Sequence, residues 1–381
     1  MPSEQVLLRQ EQTSARALLA CILLASSIAV AQSTLPAIAP ASQDTITWYA
    51  VSSWGVEGRG WSDVKRFYDR LPARAEGAVP EKVWGLSRHS AGMSCRFITD
   101  ATEIQVRYSL LSPRLEMAHM PATGVSGVDL YTLLEDGQWR WIGTTQPTQQ
   151  RVLATIIKGM RPGRRTYMLY LPLYNGIDSL EIGATKGSAF DPVLPRSERP
   201  IVFYGTSIMH GACASRPGMA ITAILGRRLN VPTINLGFSG AGKMEPEVGR
   251  LLAELDPSVF VLDCLPNLTS DETAERVEPL VRQLRAAKPK TPILLVEDRI
   301  FPNAVVLPDR LEGHRKRHAI LQEVFERLIA SGVKDLFYLE GDGLLGDDGE
   351  ATVDGSHPTD LGMMRYADAY EKVLRRIIDV R

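Results

Sequence analysis

The feature that most constrains the fold is an alternation, after residue 200, of short apolar runs with longer amphipathic stretches. The apolar runs occupy residues 201–204, 233–236, 259–263, 293–296 and 336–339. Their apolar content is nearly continuous, as expected for parallel strands that helices cover on both faces. Helices are predicted at 220–229, 271–287 and 315–330. A last helix has an apolar stripe at spacings of four and three: Met363, Ala367, Tyr370, Leu374 and Ile377. This alternation of strand and helix predicts a doubly wound α/β fold.

Residues 44–190 have a different pattern and are predicted to be all-β. Apolar and polar residues alternate strictly over 103–110, which is typical of a half-buried strand. Asp136 and Gly137 separate two strand-like runs, and this dipeptide suits a tight hairpin turn. Several short strands with turn residues between them predict a β-sandwich.

The length of 381 residues exceeds one ordinary core and favours two domains. Residues 191–200 are predicted to be a linker because three prolines fall there among charged residues: Pro192, Pro195 and Pro200. The expected organisation is a β-sandwich accessory domain over 44–190, this linker, and an α/β domain over 201–381.

Residues 1–31 have the pattern of a secretory signal peptide. Arg9 and Arg16 precede a mostly apolar stretch over 17–30, and residues 29–31 have the small-x-small pattern of a cleavage site. The stretch is short for a bilayer span, which takes about 20 apolar residues, although an uncleaved anchor is the alternative. The predicted location is periplasmic or extracellular, without stable membrane insertion after cleavage.

Charge and cysteine content narrow the classes of function. The formal net charge is −1 and there is no basic run, so no nucleic-acid partner is predicted. Cleavage would remove Cys21 and leave Cys95, Cys213 and Cys264. A disulfide between Cys213 and Cys264 is possible; the alternative is that both are small buried residues. The cysteine spacing does not resemble a structural zinc site.

A candidate nucleophile follows the first parallel strand, in the run Tyr-Gly-Thr-Ser-Ile at 204–208. Ligands of such a sheet bind at the carboxyl ends of its strands, and Gly205 permits a close turn there. Ser207 would therefore present its hydroxyl and its backbone N–H to a cleft. Taken alone, the pattern also fits a helix-capping or loop serine.

A base and an orienting acid for this serine are found near the C-terminus. A serine hydroxyl is a poor nucleophile without both groups. His357 directly precedes a proline and the final helix, and Asp354 lies three residues earlier, close enough to accept a hydrogen bond from the imidazole. The alternatives are a surface turn or a histidine that caps the helix.

Two further strand ends offer donors for an oxyanion. The glycine-rich segment 235–242 follows the second parallel strand, and its glycines allow a backbone N–H to face the cleft. Segment 262–267 follows the third strand and ends in Asn267, whose side-chain amide is a neutral donor. A flexible loop and a helix-capping asparagine are the alternatives for the two segments taken singly.

Together these segments resemble the four sequence blocks of the SGNH (GDSL-like) hydrolases, in order and in approximate separation. The resemblance implies a flavodoxin-like three-layer α/β/α hydrolase domain. It implies that Ser207 is the nucleophile, His357 the general base and then acid, and Asp354 the acid that orients it. It also implies an oxyanion hole formed by the N–H groups of Ser207 and Gly240 and the side chain of Asn267.

The sequence departs from the common family pattern at two blocks. It has Gly-Thr-Ser-Ile at 205–208, where many members have Gly-Asp-Ser-Leu. It has Leu-Pro-Asn-Leu at 265–268, where many have Gly-x-Asn-Asp. The first departure leaves the triad unchanged, and the second changes the surroundings of Asn267.

The β region resembles an accessory domain that precedes some SGNH catalytic domains. The sequence Gly-Val-Asp-Leu-Tyr at 127–131 is similar to its Gly-x-Asp-Leu-Tyr signature, and Asp129 is interpreted as a turn or structural residue. Such two-domain proteins include bacterial carbohydrate acetylesterases. The resemblance thus implies a serine esterase for acetyl or short-chain acyl esters of carbohydrate or polysaccharide, without metal or organic cofactor. The alternatives are a lipase or thioesterase of the same fold, or a non-catalytic carbohydrate-binding protein.

Aromatic and histidine residues outside these blocks are weaker candidates. All six tryptophans precede residue 142 and are expected mainly to fill the sandwich core. Trp54, in a glycine-rich segment, is the best candidate for an exposed ring that binds sugar, and His210 is a candidate for lining the cleft. His314 and His318 have a spacing seen in metal sites. The three residues between them, Arg315, Lys316 and Arg317, are cationic. A solvated helix face is therefore predicted, and no metal site.

Overall fold

The computed structural model describes residues 45–379. The predicted signal segment 1–31, with Cys21, lies outside the described residues. None of the helices within 45–379 combines the length and the apolar character that crossing a bilayer requires.

Two antiparallel sheets form the first part of the described chain. Their strands are β1 (Ile46–Ala50), β2 (Ser94–Thr99), β3 (Glu103–Leu110), β4 (Asp129–Leu133), β5 (Trp139–Thr144), β6 (Arg151–Lys158), β7 (Arg165–Tyr170), β8 (Ile177–Thr185) and β9 (Phe190–Val193). The strand orders are β1-β8-β3-β6 and β5-β4-β7-β2-β9. The two sheets share one apolar core, to which Val106 contributes from the first sheet and Phe97 from the second. The predicted β-sandwich is confirmed, with two short helices added: α1 (Glu81–Ser87) and α2 (Ala122–Val125).

Local patterning explains the strands that the sequence predicts best. The alternating run 103–110 forms β3, in which every second residue from Ile104 is buried. The turn between β4 and β5 contains Asp136 and Gly137, as predicted. Gly137 has a φ of +77°, a region that favours glycine, and Asp136 accepts a hydrogen bond of 2.8 Å from the Gln138 N–H.

The second part is a parallel sheet between two layers of helices. Its strands are β10 (Ile201–Gly205), β11 (Thr233–Gly237), β12 (Val259–Asp263), β13 (Ile293–Val296) and β14 (Leu336–Leu339). Its helices are α3 (Ser207–His210), α4 (Ile221–Leu229), α5 (Pro246–Leu252), α6 (Ser270–Ala287), α7 (Pro308–Ala330) and α8 (Asp360–Asp379). The strand order β11-β10-β12-β13-β14 is that of a flavodoxin-like sheet, in which the order reverses beside the first strand.

Apolar residues cover both faces of this sheet, as continuous apolar strands require. Helices α4 and α8 share a core with one face, and α5, α6 and α7 share a core with the other. The predicted stripe of the last helix is buried throughout, from Met363 to Ile377. The three-layer α/β/α prediction is confirmed. The carboxyl ends of β10, β11 and β12 lie side by side, which places the predicted site segments at one edge.

Part of the predicted linker is a strand. In β9, Pro192 lies opposite Phe97 of β2 at the edge of its sheet, a position that tolerates the missing N–H of proline. Further along, Arg196 pairs with Glu57 at 2.7 Å. The domain limits at 190 and 201 stay predictions.

Asp129 on β4 links the sandwich to the parallel-sheet region. Its carboxylate is fully buried and accepts hydrogen bonds from Arg216 at 2.7 Å, from the Gly218 N–H at 2.9 Å and from Trp141 at 2.6 Å. Burial raises the pKa of this carboxyl, and the charge of Arg216 opposes the rise. Asp129 is therefore a structural residue.

Arg70 makes a second link, and its environment is unusual. Its fully buried guanidinium donates to the carbonyl oxygens of Leu86 and His89 in the sandwich region, at 2.7 and 2.9 Å. It also donates to the carbonyls of Asn235 and Gly237 in β11, at 3.0 and 2.8 Å. Burial lowers the pKa of this guanidinium to about 9. The partners of its nitrogens within residues 45–379 are backbone carbonyls, the Asn235 side-chain oxygen and the His210 ring, and none of them is a carboxylate.

Candidate active site

The nucleophile candidate stands where β10 turns into α3. A Cβ atom on Gly205 would lie 2.7 Å from the Asp263 carbonyl oxygen, so the turn requires glycine. The Thr206 hydroxyl caps α3 by accepting from the Ile208 N–H at 3.4 Å. Since the first amides of a helix have no helical acceptor, the Ser207 N–H is available to a ligand.

Ser207, His357 and Asp354 form a continuous chain of hydrogen bonds. Ser207 Oγ lies 2.9 Å from His357 Nε2, although 150 residues separate them. His357 Nδ1 lies 2.8 Å from Asp354 Oδ2. Asp354 Oδ1 accepts from the backbone N–H groups of Ser356 and His357, at 2.9 and 2.8 Å. The geometry is that of a nucleophile, a base and an orienting acid.

Hydrogen bonding keeps the Asp354 carboxylate ionised. Burial opposes ionisation, but the hydrogen bonds from the His357 backbone, the His357 ring and the Ser356 backbone outweigh it and lower the pKa of Asp354 to about 2. An ionised Asp354 favours the imidazole tautomer with its proton on Nδ1. In that tautomer Nε2 is free to accept the proton of Ser207.

The three predicted oxyanion donors lie at three neighbouring strand ends. Gly240 has a φ of +62° and is the exposed residue of the otherwise largely buried loop after β11. The Asn267 side chain, after β12, donates to the carbonyl oxygen of Ala241, which places it beside the same loop. Its amide has a second hydrogen for a ligand. Lys82 from the sandwich region also contacts this loop, through the Gly240 carbonyl at 3.0 Å.

The structure contradicts the expected exposure of Trp54 and the expected place of His210 in the cleft, because both side chains are buried. Trp54 is 7% exposed and its ring packs edge-on against Phe190 in the sandwich core. His210 is fully buried, with its ring stacked on Tyr174 at 4.2 Å. Burial and the nearby charge of Arg70 hold the pKa of His210 well below its usual range.

The predicted solvated face at His314 and His318 is also wrong. Both side chains are buried, and they contact the buried Asp298 carboxylate at 2.6 and 2.9 Å. Such a cluster has metal-ligand residue types. However, Arg317 places a guanidinium nitrogen 2.7 Å from Asp298 Oδ2 and 2.9 Å from His314 Nδ1. A cation already contacts two of the three groups that would bind a metal ion, so the residues do not fit a metal site.

Cys213 and Cys264 are free thiols, both buried. The possible disulfide between them is therefore not formed, and the interpretation as small buried residues holds. Cys95 is likewise free and buried in the sandwich core.

Three other residues lie at the site and were not identified from the sequence. Arg299 donates through Nε to the Ser356 carbonyl at 3.1 Å and through Nη2 to the Ser356 hydroxyl. Tyr174 donates to the Ser207 carbonyl at 3.4 Å, and the exposed His119 ring lies 6.0 Å from that of His357. One signal for Arg299 was present: three charged residues, 297–299, directly follow the buried strand β13 at the site edge.

A cavity of about 640 Å³ lies between the segment that follows β12 and the start of α7, and its walls include the charged residues Asp309, Arg310 and Arg317. Its walls include Pro266 and Leu268, which flank Asn267, and Phe301 and Leu307. The segment before α7 adds exposed apolar side chains nearby, with Val305 85% exposed.

Comparison with known proteins gives two family matches. Residues 198–375 match the GDSL-like lipase/acylhydrolase family. Residues 46–190 match the GxDLY region, the N-terminus of SGNH-hydrolase-type esterases. No curated protein sequence matches the chain.

Several solved structures are similar over most of the chain. A protein from Bacteroides ovatus assigned as a GDSL-like lipase is 32% identical, with a TM-score of 0.83, and the match covers 88% of this chain and 98% of that one. A salicylyl-acyltransferase from a tetracycline biosynthetic pathway is 19% identical, with a TM-score of 0.67, covering 90% and 98%. An acetyl xylan esterase from the rumen bacterium Butyrivibrio proteoclasticus is 12% identical, with a TM-score of 0.53, covering 88% and 99%.

Proposed function

The chain belongs to the GDSL-like lipase/acylhydrolase family. We propose that it is a secreted serine esterase that removes acetyl groups from O-acetylated carbohydrate. The proposal depends most on one observation. Ser207 Oγ, His357 and Asp354 are joined by hydrogen bonds of 2.9 and 2.8 Å at the edge of the parallel sheet where ligands bind.

The proposed reaction has two acyl-transfer steps. Ser207 Oγ attacks the ester carbonyl carbon while His357 Nε2 takes the hydroxyl proton. The tetrahedral oxyanion accepts hydrogen bonds from the N–H groups of Ser207 and Gly240 and from the Asn267 amide. The alcohol leaves with the proton held by His357, and an acyl-serine remains. Water then attacks this ester, with His357 again as base, and the carboxylic acid is released.

Asp354 has a supporting role in this scheme. Its Oδ1 is held by two backbone N–H groups, so its Oδ2 faces His357 Nδ1 in a fixed orientation. The negative charge stabilises the imidazolium that forms when Ser207 loses its proton.

The carbohydrate part of the proposal has separate support. The match to the acetyl xylan esterase covers 88% of this chain, and thus both its sandwich and its SGNH domain. The pattern of residues 1–31 favours export, which suits a polymeric substrate outside the cell.

Acetate release from defined substrates tests the proposal. The chain from residue 32 onward is assayed on 4-nitrophenyl acetate, acetylated xylan and acetylated xyloglucan oligosaccharides, with Ser207→Ala as the matched control. We expect turnover by the wild-type protein and none by Ser207→Ala, with sugar binding retained by both. If neither protein turns over any substrate and both bind sugar equally well, the chain is instead a non-catalytic carbohydrate-binding protein.

The cavity lined by Pro266 and Leu268 favours a second candidate, a lipase for longer acyl chains. Its volume of about 640 Å³ exceeds what an acetyl group fills, and its walls include apolar residues. A series of 4-nitrophenyl esters from acetate to decanoate separates the two. The acetylesterase proposal requires kcat/KM to fall with chain length, and a rise toward decanoate identifies the lipase.

A further inference from the structure

The proposed base lies on a loop that is partly exposed to solvent. The side chains of His357 and Asp354 are 25% and 44% exposed. Hydrogen bonds inside the loop join the Val353 N–H to the His357 carbonyl at 2.9 Å and the Gly355 N–H to the Thr352 hydroxyl at 3.1 Å. These bonds fix the shape of the loop, but they do not fix its position relative to Ser207.

Arg299 reaches this loop from the sheet edge. Its side chain follows β13 and is 4% exposed. Two of its nitrogens bind two oxygens of one residue, Ser356: the carbonyl, at 3.1 Å, and the hydroxyl. Because a guanidinium is rigid and planar, this double contact fixes the orientation of Ser356 as well as its position. Ser356 is the direct neighbour of His357.

The guanidinium is buried, and it interacts with a neighbour in the chain and with charged and polar groups at the sheet edge and on α8. Its Cζ lies 4.7 Å from the centre of the Phe301 ring. Its charge acts on the buried carboxylate of Asp263, which ends β12 and accepts a hydrogen bond of 2.7 Å from Tyr370. Arg299 thus joins a partly exposed loop to residues that the sheet and α8 keep in place.

We propose that Arg299 is a positioning residue that acts through Ser356 to set the distance between His357 Nε2 and Ser207 Oγ. This inference rests on the proposed function. A displacement of about 1 Å at a reacting group can lower a rate about 100-fold, so a loop partly exposed to solvent needs such a contact.

Ser356→Ala and Ser356→Thr test the hydroxyl contact without removing a buried charge. We expect Ser356→Ala to lower kcat on 4-nitrophenyl acetate about tenfold, with KM and the melting temperature unchanged, and Ser356→Thr to restore it. Arg299→Lys keeps the charge and loses the double contact. It should lower kcat about 100-fold, as Arg299→Gln does, if that variant folds.

A His357→Ala background distinguishes positioning of the base from general structural support. Groups that act as a unit have non-additive effects on rate. Ser356→Ala should therefore leave the residual rate of His357→Ala unchanged. The matched control is Arg365→Gln, which removes an arginine that holds another loop through the Leu345 carbonyl at 2.7 Å and should not change kcat.

The outcomes separate this inference from the proposed function. Wild-type kcat in Ser356→Ala, or an equal loss in the presence and absence of His357, overturns the positioning role while the esterase stands. Full activity of Ser207→Ala overturns the esterase itself, and the positioning role with it.

Discussion

Replacing Asp354 by Asn tests the proposed triad with almost no change in shape. In the wild-type protein Oδ1 accepts from the Ser356 and His357 amides at 2.9 and 2.8 Å, and Oδ2 faces His357 Nδ1 at 2.8 Å. An asparagine keeps its oxygen on the two amides, so its NH₂ group faces Nδ1. The imidazole must then accept at Nδ1 and carry its proton on Nε2. That proton points at Ser207 Oγ, and the ring cannot act as base.

The expected loss in kcat is about 10⁴-fold, which is the effect of the wrong tautomer in a serine protease and corresponds to about 5 kcal/mol. The assay is steady-state hydrolysis of 4-nitrophenyl acetate, together with the rate at which a fluorophosphonate labels Ser207. Both rates should fall together. Asp348→Asn is the matched control, because Asp348 is also an ionised loop carboxylate but pairs with Arg365 at 2.7 Å. A folded Asp354→Asn protein that retains a tenth or more of wild-type kcat would refute the assignment.

Three further changes have defined expected outcomes. Asn267→Ala removes an oxyanion donor and should lower kcat about 100- to 1000-fold on 4-nitrophenyl acetate; an unchanged kcat means that Asn267 only holds Ala241. Burial raises the pKa of Asp263 from 3.8 to about 6, so the folded state binds the proton more tightly, and stability falls as the pH rises from about 4 to about 6. Asp263→Asn should gain stability relative to wild type between pH 4 and 7, by about 3 kcal/mol in urea unfolding, and a pH-independent difference contradicts this. Asp129→Ala leaves the partly buried Arg216 without its carboxylate partner and should reduce the free energy of unfolding by about 3 kcal/mol; a loss below 1 kcal/mol would show that water replaces the carboxylate.

The strands of the parallel sheet were predictable because a strand that is buried on both faces has a nearly continuous apolar sequence. The run 259–263 needs only its own composition to indicate a covered strand, and it forms β12 (Val259–Asp263). Asp354 and His357 were found for a similar reason, since three residues of spacing suffice for a turn to bring them together. Which residues share an edge follows from the strand order, and the reversal beside β10 is a general property of this topology.

Contacts between distant segments were not predictable in this way. The glycine-rich surroundings of Trp54 suggested exposure, but the ring packs on Phe190, far along the chain. The cationic neighbours of His314 suggested solvent, yet Asp298 on another element supplies a buried carboxylate. Arg299 belongs to no motif, because its partner Ser356 is defined only once β13 and the C-terminal loop are side by side.

The environment of Arg70 limits which truncated forms and domain chimeras of this protein can be stable. An isolated fragment that begins at residue 198 would lose the guanidinium that binds the Asn235 and Gly237 carbonyls, at the base of the loop that carries Gly240. Those carbonyls would face water or each other, and the loop would lose its anchor. A chimera with a foreign sandwich would need to bring an arginine to the same spot. An exchange of residues 46–190 that leaves this position without a cation should therefore destabilise the loop after β11.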